Sequence, residues 1–203
     1  MSSEKAKGII AGAQGNLMTV EFEGIIRQNE VVYLSTGGKN LKGEVIEIDG
    51  KKAKVQIFEP TRGVKCGDSV EFTSELLSVE LGPGLLQNVY DGLQNPLEKI
   101  AEENGYFLPR GVYLAPLDQS KKWDFTPIAK VGDTVSAASY LGRVPEAVID
   151  HKIMVPFGFN GTAKVIEIKP AGSYTINEVI AKLQDDSGKI TEVTMVQKWP
   201  AKF

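Results

Sequence analysis

The sequence predicts a mainly β protein with one short helix, and three observations lead there. Gly 21 and Pro 10 in 203 residues are too many for a helical bundle and suit many short strands and turns. Residues 17–22, 31–34, 45–48 and 55–58 carry β-branched or aromatic side chains at period two. Between them fall turn pairs: Gly15-Asn16, Gly37-Gly38, Asp49-Gly50 and Gly67-Asp68. Asp49-Gly50 is the strongest hairpin signal, because both residues tolerate positive φ in a two-residue turn. Closing these strands on one another would remove their edges, so residues 8–73 are expected to form a small β-barrel.

Composition excludes several function classes. With 42% hydrophobic and 24% charged residues, the chain has enough apolar material to build a core, so disorder is not expected. A net charge of -3 gives no basic field for nucleic acid. One cysteine, Cys66, excludes an internal disulfide, and one cysteine with one histidine cannot supply a zinc cluster. No apolar run reaches the ~18 residues of a membrane span, and residues 1–5 lack the apolar core of a secretion signal. The expectation is a soluble intracellular protein without direct membrane insertion.

Candidate chemistry is sparse. Glu21 and Glu23 share one strand face and are read as a solvated outer face rather than a catalytic pair. Cys66 sits beside Lys65 in a Gly-rich turn and is read as unreactive. Gly82-Pro83-Gly84 could cradle an anion on its backbone N–H groups, but without a following Lys and Ser/Thr it reads better as a tight turn. Pro96 suits the first position of a helix, and Leu97, Ile100 and Ala101 form an apolar stripe up to Gly105, giving a helix over 96–104. His151 stands between Asp150 and Lys152; neighbours on a strand face opposite ways, so no Asp–His dyad forms and a surface or loop histidine is expected. Trp123 and Phe125 alternate along a short segment and are expected to cover a small core.

The run SVELGPGLLQNVYDGLQNPL, residues 78–97, strongly resembles the catalytic A subunit of V-type (archaeal-type) rotary ATPases. So do Gly43-Glu44-Val45-Ile46, Arg110-Gly111-Val112, Lys152-Ile153-Met154-Val155-Pro156 and Met195-Val196-Gln197-Lys198-Trp199-Pro200, in order along nearly the whole chain. The resemblance implies an N-terminal barrel (8–73), a connecting segment opening the nucleotide-binding domain (74–109), and an inserted bulge domain (110–186). Residues 187–203 would return as a strand to a nucleotide-binding domain continuing beyond the chain. Two positions depart from the family pattern: Phe157-Gly158-Phe159-Asn160 replaces a second proline after Val155-Pro156, and Asn95 stands where arginine is usual.

Within the bulge, 131–135 through Leu141 loosely repeats 171–176 through Ile180. Such a quasi-repeat fits two interlocked half-sheets, the barrel-sandwich-hybrid arrangement shared with biotinyl and lipoyl carrier domains. A carrier needs a lysine at a hairpin tip ahead of the Pro156-Phe157 turn. That tip falls in residues 144–149, which contain no lysine. The expectation is the scaffold without the prosthetic group.

No G-x-x-x-x-G-K-[ST] string occurs; Gly37-Gly38-Lys39-Asn40 lacks the earlier glycine and the hydroxyl. No residue is therefore assigned a catalytic, cofactor-binding or metal-ligating role, and this chain alone is not expected to turn over ATP. The resemblance implies a parent subunit that binds Mg-ATP/ADP and couples its hydrolysis or synthesis to proton or sodium transport. It implies a ring shared with B subunits and other A subunits, peripheral-stalk subunits meeting the bulge, and a cytoplasmic head peripheral to the membrane. The alternative is a freestanding β-domain adaptor or assembly protein derived from such a subunit.

Overall fold

The computed structural model describes residues 5–105 and 109–202. They divide into two compact units, one comprising residues up to 79, 103–113 and 200 onward, the other 80–102 and 114–199.

The first unit is a closed six-stranded barrel. Its strands are β1 (Lys7–Gln14), β2 (Leu17–Glu23), β3 (Glu30–Thr36), β4 (Lys39–Asp49), β5 (Lys52–Ile57) and β6 (Ser69–Leu76). Their order around the barrel is β1-β2-β5-β4-β3-β6, and β6 closes onto β1 through Lys7↔Glu71 and Ile9↔Ser69. Alternate side chains fill the interior, with Val20, Leu34, Leu41, Val45, Val55 and Phe72 fully buried. Four strands were legible from period two. β1 was not, because Gly8, Ala11, Gly12 and Ala13 dilute the β-branched signal.

Turn chemistry sets the registers. Gly37 and Gly38 both take positive φ (54° and 75°), as a two-residue hairpin between Thr36 and Lys39 requires, so the Gly-Gly-Lys sequence is a turn and not a phosphate loop. The next hairpin differs from expectation by one residue. Asp49 still pairs with Lys52, and the turn is Gly50-Lys51. A bulge between Val45 and Glu47 shifts the register of β4 by one residue and carries Asp49 into the ladder.

The second unit contains β8 (Lys122–Pro127), β9 (Thr134–Ser136), β10 (Tyr140–Glu146), β11 (Ile149–Met154), β12 (Thr162–Ile168), β13 (Gly172–Thr175), β14 (Ala181–Asp185) and β15 (Ile190–Val193). One sheet runs β11-β10-β8-β13 and the other β15-β14-β12-β9. Each half of the unit contributes a strand, a short strand and a hairpin, in that order. The short strand of each half, β9 or β13, adds to the sheet of the other half, so the two halves interlock as the quasi-repeat predicted. Trp123 and Phe125 lie in one buried cluster with Val144, Ile153 and Ile176, while Leu141, Val165 and Leu183 belong to a second.

In chain order, β6 and β8 are separated by β7 (Ser78–Leu81), a 3-10 turn at Leu85–Gln87 and α1 (Leu97–Asn104). α1 ends at Gly105, whose φ of 81° supplies a left-handed cap. β7 pairs with β16 (Gln197–Pro200). Within the region 187–203, expected to return as a strand to a nucleotide-binding domain, Ile190–Val193 pairs with β14 from Ala181↔Val193 to Gln184↔Ile190, its hairpin partner a few residues upstream.

Candidate functional site

Three acidic side chains, Glu30, Glu44 and Glu146, are buried among the described residues, and their partners reveal what each does. Glu30 accepts the Arg27 N–H at 2.9 Å and the Ser74 N–H, fixing the entry to β3 against β6. Glu44 accepts a hydrogen bond from Lys202 Nζ at 2.6 Å, while its Oε1 has no partner. Glu146, with a fully buried side chain, serves a different purpose.

Glu146 is the last paired residue of β10, opposite Ile149 across the Ala147-Val148 turn. Its Oε1 accepts the Gly84 N–H at 2.7 Å and the Leu86 N–H at 3.3 Å. Its Oε2 lies 2.7 Å from His151 Nδ1, which places a ring proton on that nitrogen as donor. His151 faces Val144, two pairs further along the ladder and on the same face, so the contact is the diagonal one of an antiparallel pair. Gly84 has φ 100°, a left-handed conformation that turns the N–H groups of 84 and 86 toward one point. The Gly82-Pro83-Gly84 turn therefore does receive an anion, and the chain supplies it.

The expected surface or loop histidine is corrected by this arrangement. His151 lies in β11 with a half-buried ring bonded to a buried carboxylate. Asp150 points the other way, to Arg143 Nη1 at 2.9 Å, so the reasoning against an Asp–His dyad holds while the partner it left open is Glu146. Only the two-residue hairpin of residues 146–149 signals that partner in the sequence, since it sets positions 146 and 151 diagonally on one face.

The connecting segment is held by its own polar side chains. Asp91 accepts from the N–H groups of Leu93 and Asn95 and from Asn95 Nδ2, at 2.8–2.9 Å. Gln94 exchanges two bonds with the Glu80 backbone, and Tyr90 donates to the Pro116 carbonyl at 2.9 Å. Asn95 is thus buried and satisfied where the related pattern carries arginine. At the other departure, Phe157 packs edge-on against Trp199 with ring centroids 5.0 Å apart.

The Arg110-Gly111-Val112 motif has a place within the first unit. Arg110 Nη1 donates to the carbonyls of Pro60 and Arg62, and Gly111 N–H donates to Glu59. Tyr113 OH donates to Glu59 Oε1 at 2.7 Å and accepts the Lys42 N–H at 2.7 Å. Burial, followed by the hydrogen bond to Glu59, pushes the Tyr113 hydroxyl well above the ordinary tyrosine range.

The remaining candidates are structural. Glu21 and Glu23 lie on the exposed face of β2, and Glu21 meets Lys52 at 3.3 Å. Cys66 is exposed, with its Sγ 3.4 Å from the Ala11 carbonyl oxygen. Among the described residues no group of three or more His, Cys, Asp or Glu side chains could hold a metal ion. Nor is any helix there long and apolar enough to cross a membrane.

A closed six-stranded barrel followed by an interlocked two-sheet unit defines the class. Residues 10–74 match the ATP synthase alpha/beta family β-barrel domain, and residues 114–202 match the ATP synthase alpha/beta subunit barrel-sandwich domain. The chain belongs to the ATP synthase alpha/beta family. Within it, the chain is 54% identical over 198 residues to the V-type ATP synthase alpha chain of Treponema denticola, covering 98% of this chain and 34% of that protein. The V-type ATP synthase alpha chains of Borrelia garinii subsp. bavariensis and Borreliella burgdorferi are 51% and 52% identical, over 98% and 97% of this chain and 35% and 34% of theirs. The chain spans about a third of the length of these relatives.

Proposed function

We propose that the chain is the N-terminal structural part of the catalytic A subunit of a proton- or sodium-translocating V-type ATPase/ATP synthase. The barrel joins neighbouring A and B subunits into the crown of the ring, and the bulge meets peripheral-stalk subunits. Mg-ATP or Mg-ADP binds in the part of the subunit that lies outside these 203 residues, and the assembled head is cytoplasmic and peripheral to the membrane. The single observation behind this reading is an overall identity of 54% in a match that covers 98% of the chain. A closed barrel and two interlocked sheets are stiff, as a part that holds a ring together under torque must be.

A chimera tests it. This chain replaces the matched 198-residue portion of the Treponema denticola alpha chain, which is co-expressed with the other subunits of that complex. The expected result is an intact ring by native mass spectrometry and ATPase activity within about tenfold of the parent. A soluble chimera that stays out of the ring would overturn the proposal and favour the adaptor reading.

A further inference from the structure

The Glu146 carboxylate joins the two arms of one hairpin to a turn 62 residues away in sequence. It ends β10, it receives two N–H groups from the turn at 82–87, and it is held from the side by a ring on β11. Glu146 and Gly84 are separated by 62 residues, yet both belong to the second unit. A fully buried carboxylate is tolerated only where hydrogen bonds replace its hydration, and here all three come from groups whose positions it in turn fixes. The turn depends on it equally. Gly84 N–H and Leu86 N–H find their acceptor in this one oxygen. A packed hydrogen-bonded junction of this kind moves as a unit and does not deform gradually.

We propose that Glu146 is a positioning residue, oriented by His151, through which the β10–β11 hairpin fixes the turn at 82–87, so that displacement of the hairpin is transmitted to the connecting segment. The hairpin presents an exposed tip. Its tip residue Val148 is 98% exposed, and Ala147 occupies a left-handed conformation at φ 51°. Glu146 is the step where this exposed tip meets the buried ladder. This role stands on the geometry of the second unit and does not depend on ring membership.

Amide hydrogen exchange on the 203-residue chain tests it. Glu146→Ala should speed exchange at Gly84 and Leu86 by about tenfold or more, as expected for N–H groups that lose a buried acceptor. The Val165 N–H, bonded to Asp133 O at 2.9 Å elsewhere in the same unit, should keep its protection. Glu146→Gln retains an acceptor oxygen and should restore most of the protection at Gly84. His151→Phe, which keeps a ring without Nδ1, should raise exchange at both amides by several-fold, and it decides the question if Glu146→Ala fails to fold. For transmission, Ala147→Gly should shift the Gly84 and Leu86 amide resonances in the native background and lose that effect with His151→Phe. Unchanged exchange at Gly84 and Leu86, an equal rise at Val165, or no shift from Ala147→Gly would each overturn the proposal.

Discussion

Gly142 stands against the Phe125 ring so closely that an added Cβ would lie 2.1 Å from ring carbon Cε2 and 2.9 Å from the Thr126 carbonyl oxygen. Neither neighbour can retreat, since Phe125 is fully buried and Thr126 is in the β8 ladder. Gly142→Ala should therefore cost about 2–3 kcal/mol or more in denaturant unfolding, the upper range for overpacking a core. Tyr113 gives a second residue-scale prediction. Its folded pKa is raised, chiefly by burial and then by Glu59, so the unfolded chain releases this proton first. The stability it contributes is full below the unfolded value of about 10 and falls as pH rises above it. Tyr113→Phe should flatten that alkaline decline while costing roughly 1–2 kcal/mol at pH 7, because Lys42 N–H and Glu59 lose a partner. Unfolding curves at pH 7 and at pH 10–11 check both parts.

At the scale of elements, the two hairpins of the second unit occupy equivalent places and have opposite tips. The β10–β11 tip is Ala147-Val148, with Ala147 at φ 51°. Ala147→Gly relieves that conformation and should raise stability by roughly 0.5–1 kcal/mol, read as an increase in denaturation midpoint. The β14–β15 tip is polar. Asp185 accepts from Ser187 Oγ at 2.6 Å and from the N–H groups of Ser187 and Lys189 at 2.9 and 3.0 Å. These bonds, led by the Ser187 hydroxyl, hold the Asp185 carboxyl below the usual aspartate range. Its contribution is full above the unfolded value of about 3.9 and is lost as pH falls through the lower folded value. Ser187→Ala should move that loss to higher pH, which the Ser187 and Lys189 amide signals would report. The hairpins also show what could be read early. The interlocked halves were legible in the repeat of 131–141 by 171–180, because each half needs the same turn, short strand and following strand. The hydrogen-bonding partner of His151 was not, since it depends on which side of the tip the ladder closes.

For the whole molecule, family membership and chemistry separate cleanly. The match to V-type ATP synthase alpha chains runs through both β units, yet no phosphate-loop string occurs in the 203 residues. Mg-ATP titrated into this chain should leave its melting temperature unchanged, because a ligand stabilises only the fold that binds it. A saturable rise would reveal a nucleotide site that neither the motifs nor the described side chains suggest.

The sequence determined by itself the β class, most of the barrel strands, the helix before Gly105 and the family, because period-two patterning, turn glycines and contiguous motifs are local properties. Tertiary structure decided the rest. It set the register of β4 through a bulge, paired Ile190–Val193 with β14, and fastened the Arg110-Gly111-Val112 segment to Glu59 and its neighbours. It also brought Glu146 from 62 residues away to the turn of Gly84. The anion-binding shape of that turn is written in its glycines. The identity of the anion is not, because a backbone N–H donates to any nearby carboxylate and only the packing of the hairpin determines which one arrives.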